Sequence, residues 1–290
     1  DVPALFFLII SIYFYYLAFK KHRPKWLFWG SILAIIGFYT RQTNILILLA
    51  AGLIALKDVK QFKFKNLLWS FGIPIIIGGI IYYWLSINQL LPQSTFSHTL
   101  KGIWRLLGHI KWWIWYVPMY LGLFLLPLAV GYFIANKQIL KNKRFWTIFI
   151  VIEGITILIK QVWHLQLPYV GNIISIYGLG PIKPVLAGKL NLLIPDWGWI
   201  IITLLSAFGL TLLIYIFSHK KFKSQFTNFT YLFSFLYLIP LLIFESFDRY
   251  LLPLIIVLII IILQNLKNLK FSYSASLLTI IIFGIFSFTQ

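Results

Sequence analysis

Apolar residues along this chain are gathered into long runs, and short polar or basic linkers separate the runs. A helix that crosses a membrane needs about 20 apolar residues, and ten runs approach that length. The pattern predicts an all-α protein, a polytopic transmembrane bundle of about ten helices. The predicted helices cover residues 3–19, 26–40, 43–56, 67–86, 112–135, 145–160, 197–217, 227–244, 250–263 and 271–288.

Composition supports a membrane protein and excludes a soluble globular domain. Hydrophobic residues make up 61% of 290 and charged residues 11%, whereas soluble domains average about half and a quarter. The net charge of +19 lies in short clusters between apolar runs, which favours membrane lipids as partners over nucleic acid. Cysteine is absent, so disulfides and thiolate chemistry are excluded. Because the chain opens on Asp1 and its single methionine is Met119, we interpret 1–290 as one transmembrane domain that lacks N-terminal helices.

Basic residues also predict the orientation of the helices. Alternate linkers hold 17 of the 25 Lys and Arg residues, and such linkers face the cytoplasm in membrane proteins. Asp1, the turn at Arg41 and the cluster Glu245–Arg249 then share the opposite face. We expect a multi-pass protein of a prokaryotic plasma membrane, rather than of the endoplasmic reticulum, with its active face extracytoplasmic. The basic linkers are Lys20–Lys25, Lys57–Lys65, Lys137–Arg144, Lys220–Lys223 and Lys267–Lys270.

The turn Thr40–Asn44 is a candidate site because its flanking helices are short. Residues 26–56 must cross the bilayer twice with 31 residues. Each leg of about 15 residues spans roughly 22 Å, against an apolar core of about 30 Å. We therefore expect the turn below the outer surface, where non-helical backbone survives only beside protein or a water-filled cavity. Arg41 could there bind phosphate; the alternative is a capping turn whose arginine reaches the headgroups.

A charged cluster at Glu245–Tyr250 is the second candidate. Arg249 either pairs with Glu245 or Asp248 and closes a turn between helices, or binds an anionic headgroup while an acid orients it. Asp1 followed by Pro3 is a good helix start, so capping alone explains it; a carboxylate there could also act as a base or metal ligand.

Three patches of this sequence resemble the GT-C superfamily of membrane glycosyltransferases, especially the family-39, aminoarabinose-transferase-like group that includes the dolichyl-phosphate-mannose-protein mannosyltransferases. Asp1–Phe7 (DVPALFF) is similar to an acidic helix start in that group, and Asp248–Pro253 (DRYLLP) is similar to a sequence near its C-terminus. Arg41–Asn44 (RQTN) resembles a motif of the alpha-1,2-glucosyltransferases that complete the dolichol-linked oligosaccharide. The order of the patches and their shared predicted face strengthen the resemblance.

The resemblance implies transfer of a hexose or pentose from a polyprenyl-phosphate-linked donor to a lipid, glycan or protein acceptor on the extracytoplasmic face. Asp1 would be catalytic, and Arg41 and Arg249 would bind the donor phosphate. The resemblance leaves open whether a divalent metal is needed. The family's first outer loop would precede Asp1, so the chain alone is expected to be inactive. The rival classes are a multi-pass transporter or lipid flippase and a non-catalytic membrane assembly subunit. Supporting residues would be Gln42, Asn44, Glu245, Asp248 and Tyr250.

Overall fold

The protein is all-helical in the parts of the chain that the structure describes. The computed structural model describes residues 2–88, 115, 117–163, 196–218, 224–243, 248–266 and 272–288. Helices and turns account for these residues without any strand, which confirms the predicted all-α class. Each of the ten predicted segments is helical over at least part of its length.

The helix boundaries follow the apolar runs to within a few residues, apart from the run 112–135, whose described helix begins at Val117. The helices are α1 (Val2–Lys21), α2 (Pro24–Thr40), α3 (Ile45–Lys57), α4 (Val59–Phe62), α5 (Phe64–Leu67), α6 (Ile73–Ile87), α7 (Val117–Phe124), α8 (Leu126–Ala135), α9 (Lys143–Trp163), α10 (Asp196–Ser218), α11 (Gln225–Ile243), α12 (Asp248–Leu266) and α13 (Tyr273–Phe288). Short 3-10 segments cover Gln42–Asn44 and Lys137–Lys141, and a π-helical segment covers Leu68–Gly72.

Fewer helices meet the length and composition of a membrane span than the ten that the sequence predicts. Among the described residues these are Val2–Lys21 and Phe64–Ile87, with a third if α7 and α8, which are bent by 58°, form one span. Several other apolar helices, such as Gln42–Lys57, are shorter than the roughly 20 residues that cross an apolar core alone. Helix formation is therefore confirmed, whereas the number of spans is not.

The chain divides into two compact units. Unit 1 comprises Asp1–Leu107 and Phe222–Pro240, and unit 2 comprises Gly108–Lys221 and Leu241–Gln290. The interpretation as one transmembrane domain stays a prediction.

Unit 1 has α1 packed along α2. Tyr15 of α1 is fully buried, and its hydroxyl lies 3.3 Å from Ser31 Oγ of α2. Because Ser31 donates its own proton to the Leu27 carbonyl at 2.8 Å, Tyr15 must be the donor to Ser31. This buried polar pair fixes the register between the first two helices.

A π-helical segment interrupts the helix between Phe64 and Ile87. Proline lacks an N–H, so Pro74 cannot donate to the carbonyl of Ser70 four residues earlier. The wider π turn over Leu68–Gly72 accommodates that missing bond. Ser70 Oγ donates to the Pro24 carbonyl at 3.1 Å, so the segment is tied to the start of α2.

In unit 2, α7 and α10 touch backbone to backbone. A Cβ atom added to Gly209 would lie 2.1 Å from the Gly122 carbonyl oxygen, and one added to Gly122 would lie 2.3 Å from the Ser206 carbonyl oxygen. Only glycine fits at either position. Small residues permit this approach in many helix pairs of membrane proteins.

Candidate functional site

The polar turn, Arg41–Asn44, breaks the helix between α2 and α3. Arg41 is extended, with φ −159° and ψ 115°, so it cannot continue α2. Its N–H still donates to the Gly37 carbonyl at 2.8 Å, and the Asn44 N–H donates to the Arg41 carbonyl at 2.9 Å. The turn predicted at this position is confirmed, and it holds its shape through its own backbone bonds.

Asn44 clamps the polar turn onto the first two helices. Its Nδ2 donates to the Ala4 carbonyl of α1 at 3.1 Å and to the Gly37 carbonyl of α2 at 3.2 Å. The residue is 1% exposed. A Cβ at Gly37 would stand 2.9 Å from Asn44 Nδ2 and 3.2 Å from Phe7 Cβ, so a side chain there would push the amide away. The clamp therefore depends on glycine at position 37.

The orientation of the Asn44 amide follows from its neighbours. Two carbonyl oxygens can only accept, so the nitrogen must face them. Asn44 Oδ1 then points elsewhere; it is buried and has no hydrogen-bond partner among the described residues. Buried polar atoms are almost always satisfied by protein, water or a ligand. Asn44 thus presents an acceptor inside the site.

Arg41 lies in the same buried region with 9% of its surface exposed. Burying a guanidinium is costly unless it is hydrogen-bonded, so a buried arginine usually marks a specific interaction. Its planar fork of N–H donors matches phosphate and carboxylate oxygens. Gln42, by contrast, is exposed at the surface of the turn. The structure therefore separates the predicted residues Arg41 and Asn44, which are buried, from Gln42.

Two further contacts hold this region to the rest of unit 1. Thr43 Oγ1 lies 3.5 Å from the hydroxyl of Tyr237, a fully buried residue of α11. The Tyr39 hydroxyl, two residues before the polar turn, donates to the carbonyl of Gly78 on α6. Sequence reasoning included Thr43 in the candidate turn without a role of its own, and it did not single out Tyr237 or Tyr39. Contacts between residues so distant in the chain leave no local pattern.

The remaining predicted site residues have no described side chains. Asp1 and Glu245 lie outside the described residues, although Val2, the residue after Asp1, begins α1. The helix α12 begins at Asp248, so Asp248, Arg249 and Tyr250 form its first turn, but their side chains are not described. The clamp therefore brings together the first turn of α1, the end of α2 and the polar turn; the roles of the other residues stay predictions.

Glu153 is a further acidic residue that the sequence marks, in the middle of α9. Its side chain is half-buried, and Oε1 has no hydrogen-bond partner among the residues that the structure describes. Within those residues, no group of three or more His, Asp or Glu side chains could hold a metal ion. The possible divalent metal stays a prediction, because Asp1 and Glu245 are not among them.

The polar turn holds the buried guanidinium of Arg41, a group whose N–H donors suit an anion. It lies against the helix start that follows Asp1 in the sequence. No known protein family, curated protein or solved structure matches the chain.

Proposed function

We propose that this chain is the membrane domain of a glycosyltransferase that moves a sugar from a polyprenyl-phosphate donor to a lipid, glycan or protein acceptor on the extracytoplasmic face. The observation that carries the proposal is the buried, extended Arg41 at the break between α2 and α3, in a turn that Asn44 clamps to the first turn of α1. A sugar donor whose leaving group is a phosphate needs a cation beside that phosphate. A base for the acceptor hydroxyl could come from the carboxylate of Asp1, which directly precedes α1 in the sequence.

The reaction proposed is a direct displacement at the anomeric carbon. The acceptor hydroxyl oxygen forms a bond to that carbon while the bond from the carbon to the phosphate oxygen breaks. Asp1 accepts the proton of the hydroxyl, and Arg41 stabilises the negative charge on the departing polyprenyl phosphate. Arg249 is the second candidate for phosphate, on the family resemblance alone. Any divalent metal would add charge stabilisation to the same leaving group.

Asn44 has a positioning role in this proposal. By bonding Ala4 and Gly37 it keeps α1 and the polar turn at a fixed distance. A catalytic group that is misplaced by about 1 Å loses on the order of 100-fold in rate. Loss of the amide is therefore expected to reduce turnover even when the protein remains folded.

A multi-pass, GT-C-like arrangement in the membrane is part of the proposal. The helix faces that the described parts leave uncovered are strongly apolar. On α6, Ile76, Ile80 and Tyr83 are all exposed. Soluble proteins rarely leave such a continuous apolar face in water, whereas acyl chains would cover it.

The test is sugar transfer by the full-length protein in liposomes supplied with radiolabelled polyprenyl-phosphate sugars. Asp1→Asn, Arg41→Gln and Arg249→Ala are compared with Arg144→Gln, a control arginine that is exposed in the first turn of α9. We expect at least about 100-fold loss of turnover in Asp1→Asn and Arg41→Gln, the scale of losing one electrostatic contact to the transition state, and full activity in Arg144→Gln.

Two results would count against the proposal. Full activity of Arg41→Gln would remove the assignment of the phosphate to the polar turn. No transfer from any donor by folded wild-type protein would favour a transporter, a lipid flippase or an assembly subunit.

A further inference from the structure

A second charged region lies at the opposite end of α1 and α2 from the polar turn. It consists of the basic rim, eight exposed lysine and arginine side chains accompanied by a single acid, Asp58. Such an excess of one sign creates an electrostatic potential that draws anions to the surface. The rim comprises Lys20, Lys21, Arg23, Lys25, Lys57, Lys60, Lys63 and Lys65.

The two halves of the rim are distant in sequence but are joined by aromatic packing. Phe62 is fully buried beneath the second half, and its ring centroid lies 6.2 Å from that of Phe19 and 6.1 Å from that of His22 in the first half. Phe229 of α11 adds a contact to Phe19 at 5.7 Å. The cations are therefore presented together by a packed layer rather than by independent loops.

The backbone beneath the rim is strained at two positions. His22 and Lys63 are the two non-glycine residues with positive φ in the described chain, at 50° and 59°. Such conformations cost free energy and tend to persist where the surrounding structure requires them, as at ligand clamps. His22 lies between rim residues and Lys63 is itself one, so each strained position has rim cations on both sides of it in the sequence.

Exposed apolar side chains adjoin the rim. Phe64 lies between two rim lysines, and Leu68 and Trp69 follow within a turn and a half of helix. They begin the candidate span Phe64–Ile87. The cations thus border a surface suited to acyl chains, as expected where phosphate headgroups meet the apolar core. A soluble anion or a nucleic acid would not cover these exposed apolar side chains, whereas acyl chains would.

We infer that the basic rim and its aromatic layer form a binding surface for the phosphate groups of anionic phospholipids, which hold unit 1 at one leaflet of the membrane. The rim binds several headgroups at once, and their acyl chains lie along the exposed face that starts at Phe64. This surface is separate from the polar turn, so its test does not depend on sugar transfer.

The test measures thermal unfolding of the full-length protein in nanodiscs of phosphatidylcholine, with and without 30% phosphatidylglycerol. We expect the anionic lipid to raise the unfolding temperature of the wild type by roughly 4 °C. A variant that changes Lys21, Arg23, Lys60 and Lys63 to glutamine should lose that gain. A matched control, which changes the same number of exposed cations in unit 2 to glutamine, should keep it. The control positions are Lys137, Lys141, Lys143 and Arg144.

Three results would overturn the inference. The first is a wild type that phosphatidylglycerol does not stabilise. The second is an equal loss in both variants, which indicates general charge attraction without a built surface. The third is an equal gain from inorganic phosphate in phosphatidylcholine nanodiscs, which identifies a soluble anion. If the rim variant does not fold, the wild-type protein is measured in 500 mM salt instead. We expect the salt to abolish the rise in unfolding temperature that phosphatidylglycerol causes, and a rise that does not depend on salt would refute charge recognition.

Discussion

Replacement of Asn44 tests whether its amide holds the polar turn to α1 and α2. Asn44→Ala removes two hydrogen bonds, each worth about 1 kcal/mol net, so the free energy of unfolding should fall by about 2 kcal/mol. The Gly37 carbonyl keeps other donors, the Arg41 N–H at 2.8 Å and the Thr40 hydroxyl at 2.7 Å. The loss of unfolding free energy should therefore stay at about 2 kcal/mol, because the Gly37 carbonyl is not left without a hydrogen bond.

Asn44→Asp is a more specific test, because it replaces the NH2 group of the side chain by an oxygen and changes little else. The carboxylate would place a negative oxygen about 3 Å from two carbonyl oxygens in a site that is 1% exposed. Neither carbonyl can donate, so repulsion and desolvation should cost about 3 kcal/mol or more. The aspartate variant should thus be less stable than the alanine variant, although it is closer to asparagine in shape.

The assay is unfolding of the purified full-length protein in detergent, followed together with sugar transfer. Asn88 supplies a matched control, since its Nδ2 also donates to a backbone carbonyl, that of Trp84 at 2.8 Å, but at an exposed position. Asn88→Asp should leave stability unchanged within about 0.5 kcal/mol. If Asn44→Asp were as stable as wild type, the amide would not be the donor, and the clamp would have to be abandoned.

Further substitutions test other parts of the fold. Gly209→Ala would set a Cβ 2.1 Å from the Gly122 carbonyl oxygen, so it should destabilise the protein by about 3 kcal/mol. The control Gly154→Ala in α9 meets nothing within 4 Å and should be neutral or stabilising. Equal effects of the two substitutions on stability would refute the close contact. Lys63→Gly should raise stability by about 1 kcal/mol in chemical denaturation because φ is 59° there, and a loss would show that the backbone is not strained.

The positions of the helices could be predicted from the sequence because a long apolar run has few other stable conformations in a membrane. The polar residues between two apolar runs likewise located the turn at Arg41, whereas its depth in a membrane, argued from leg length, stays a prediction. The number of spans stays a prediction: among the described residues two helices, or three with the bent pair, meet the length and composition of a membrane span. The π turn before Pro74 and the positive φ of Lys63 were not predicted, because a proline near the start of an apolar run fits an ordinary helix start and a lysine in a linker does not indicate a left-handed backbone.

The candidate site was predictable in its residue types but not in its connections. Arg41 and Asn44 stood out as polar residues between apolar runs. That Asn44 reaches Ala4, 40 residues away, depends on the packing of α1 on α2 and on the small size of Gly37. Gln42 was predicted alongside them, but its side chain is exposed, because neighbouring residues in a turn point in different directions.

The π turn at Leu68–Gly72 also decides which side of the following helix meets α2. One extra residue rotates everything after it by about 100° relative to a continuous α-helix. It is this rotation that brings Gly78 against Ile35, where an added Cβ would lie 2.8 Å from Cγ2. An uninterrupted helix would present Ile77 at that angle, and its branched side chain would not fit. A helical wheel drawn with one period from Phe64 to Ile87 therefore assigns the exposed side of the part after the π turn incorrectly.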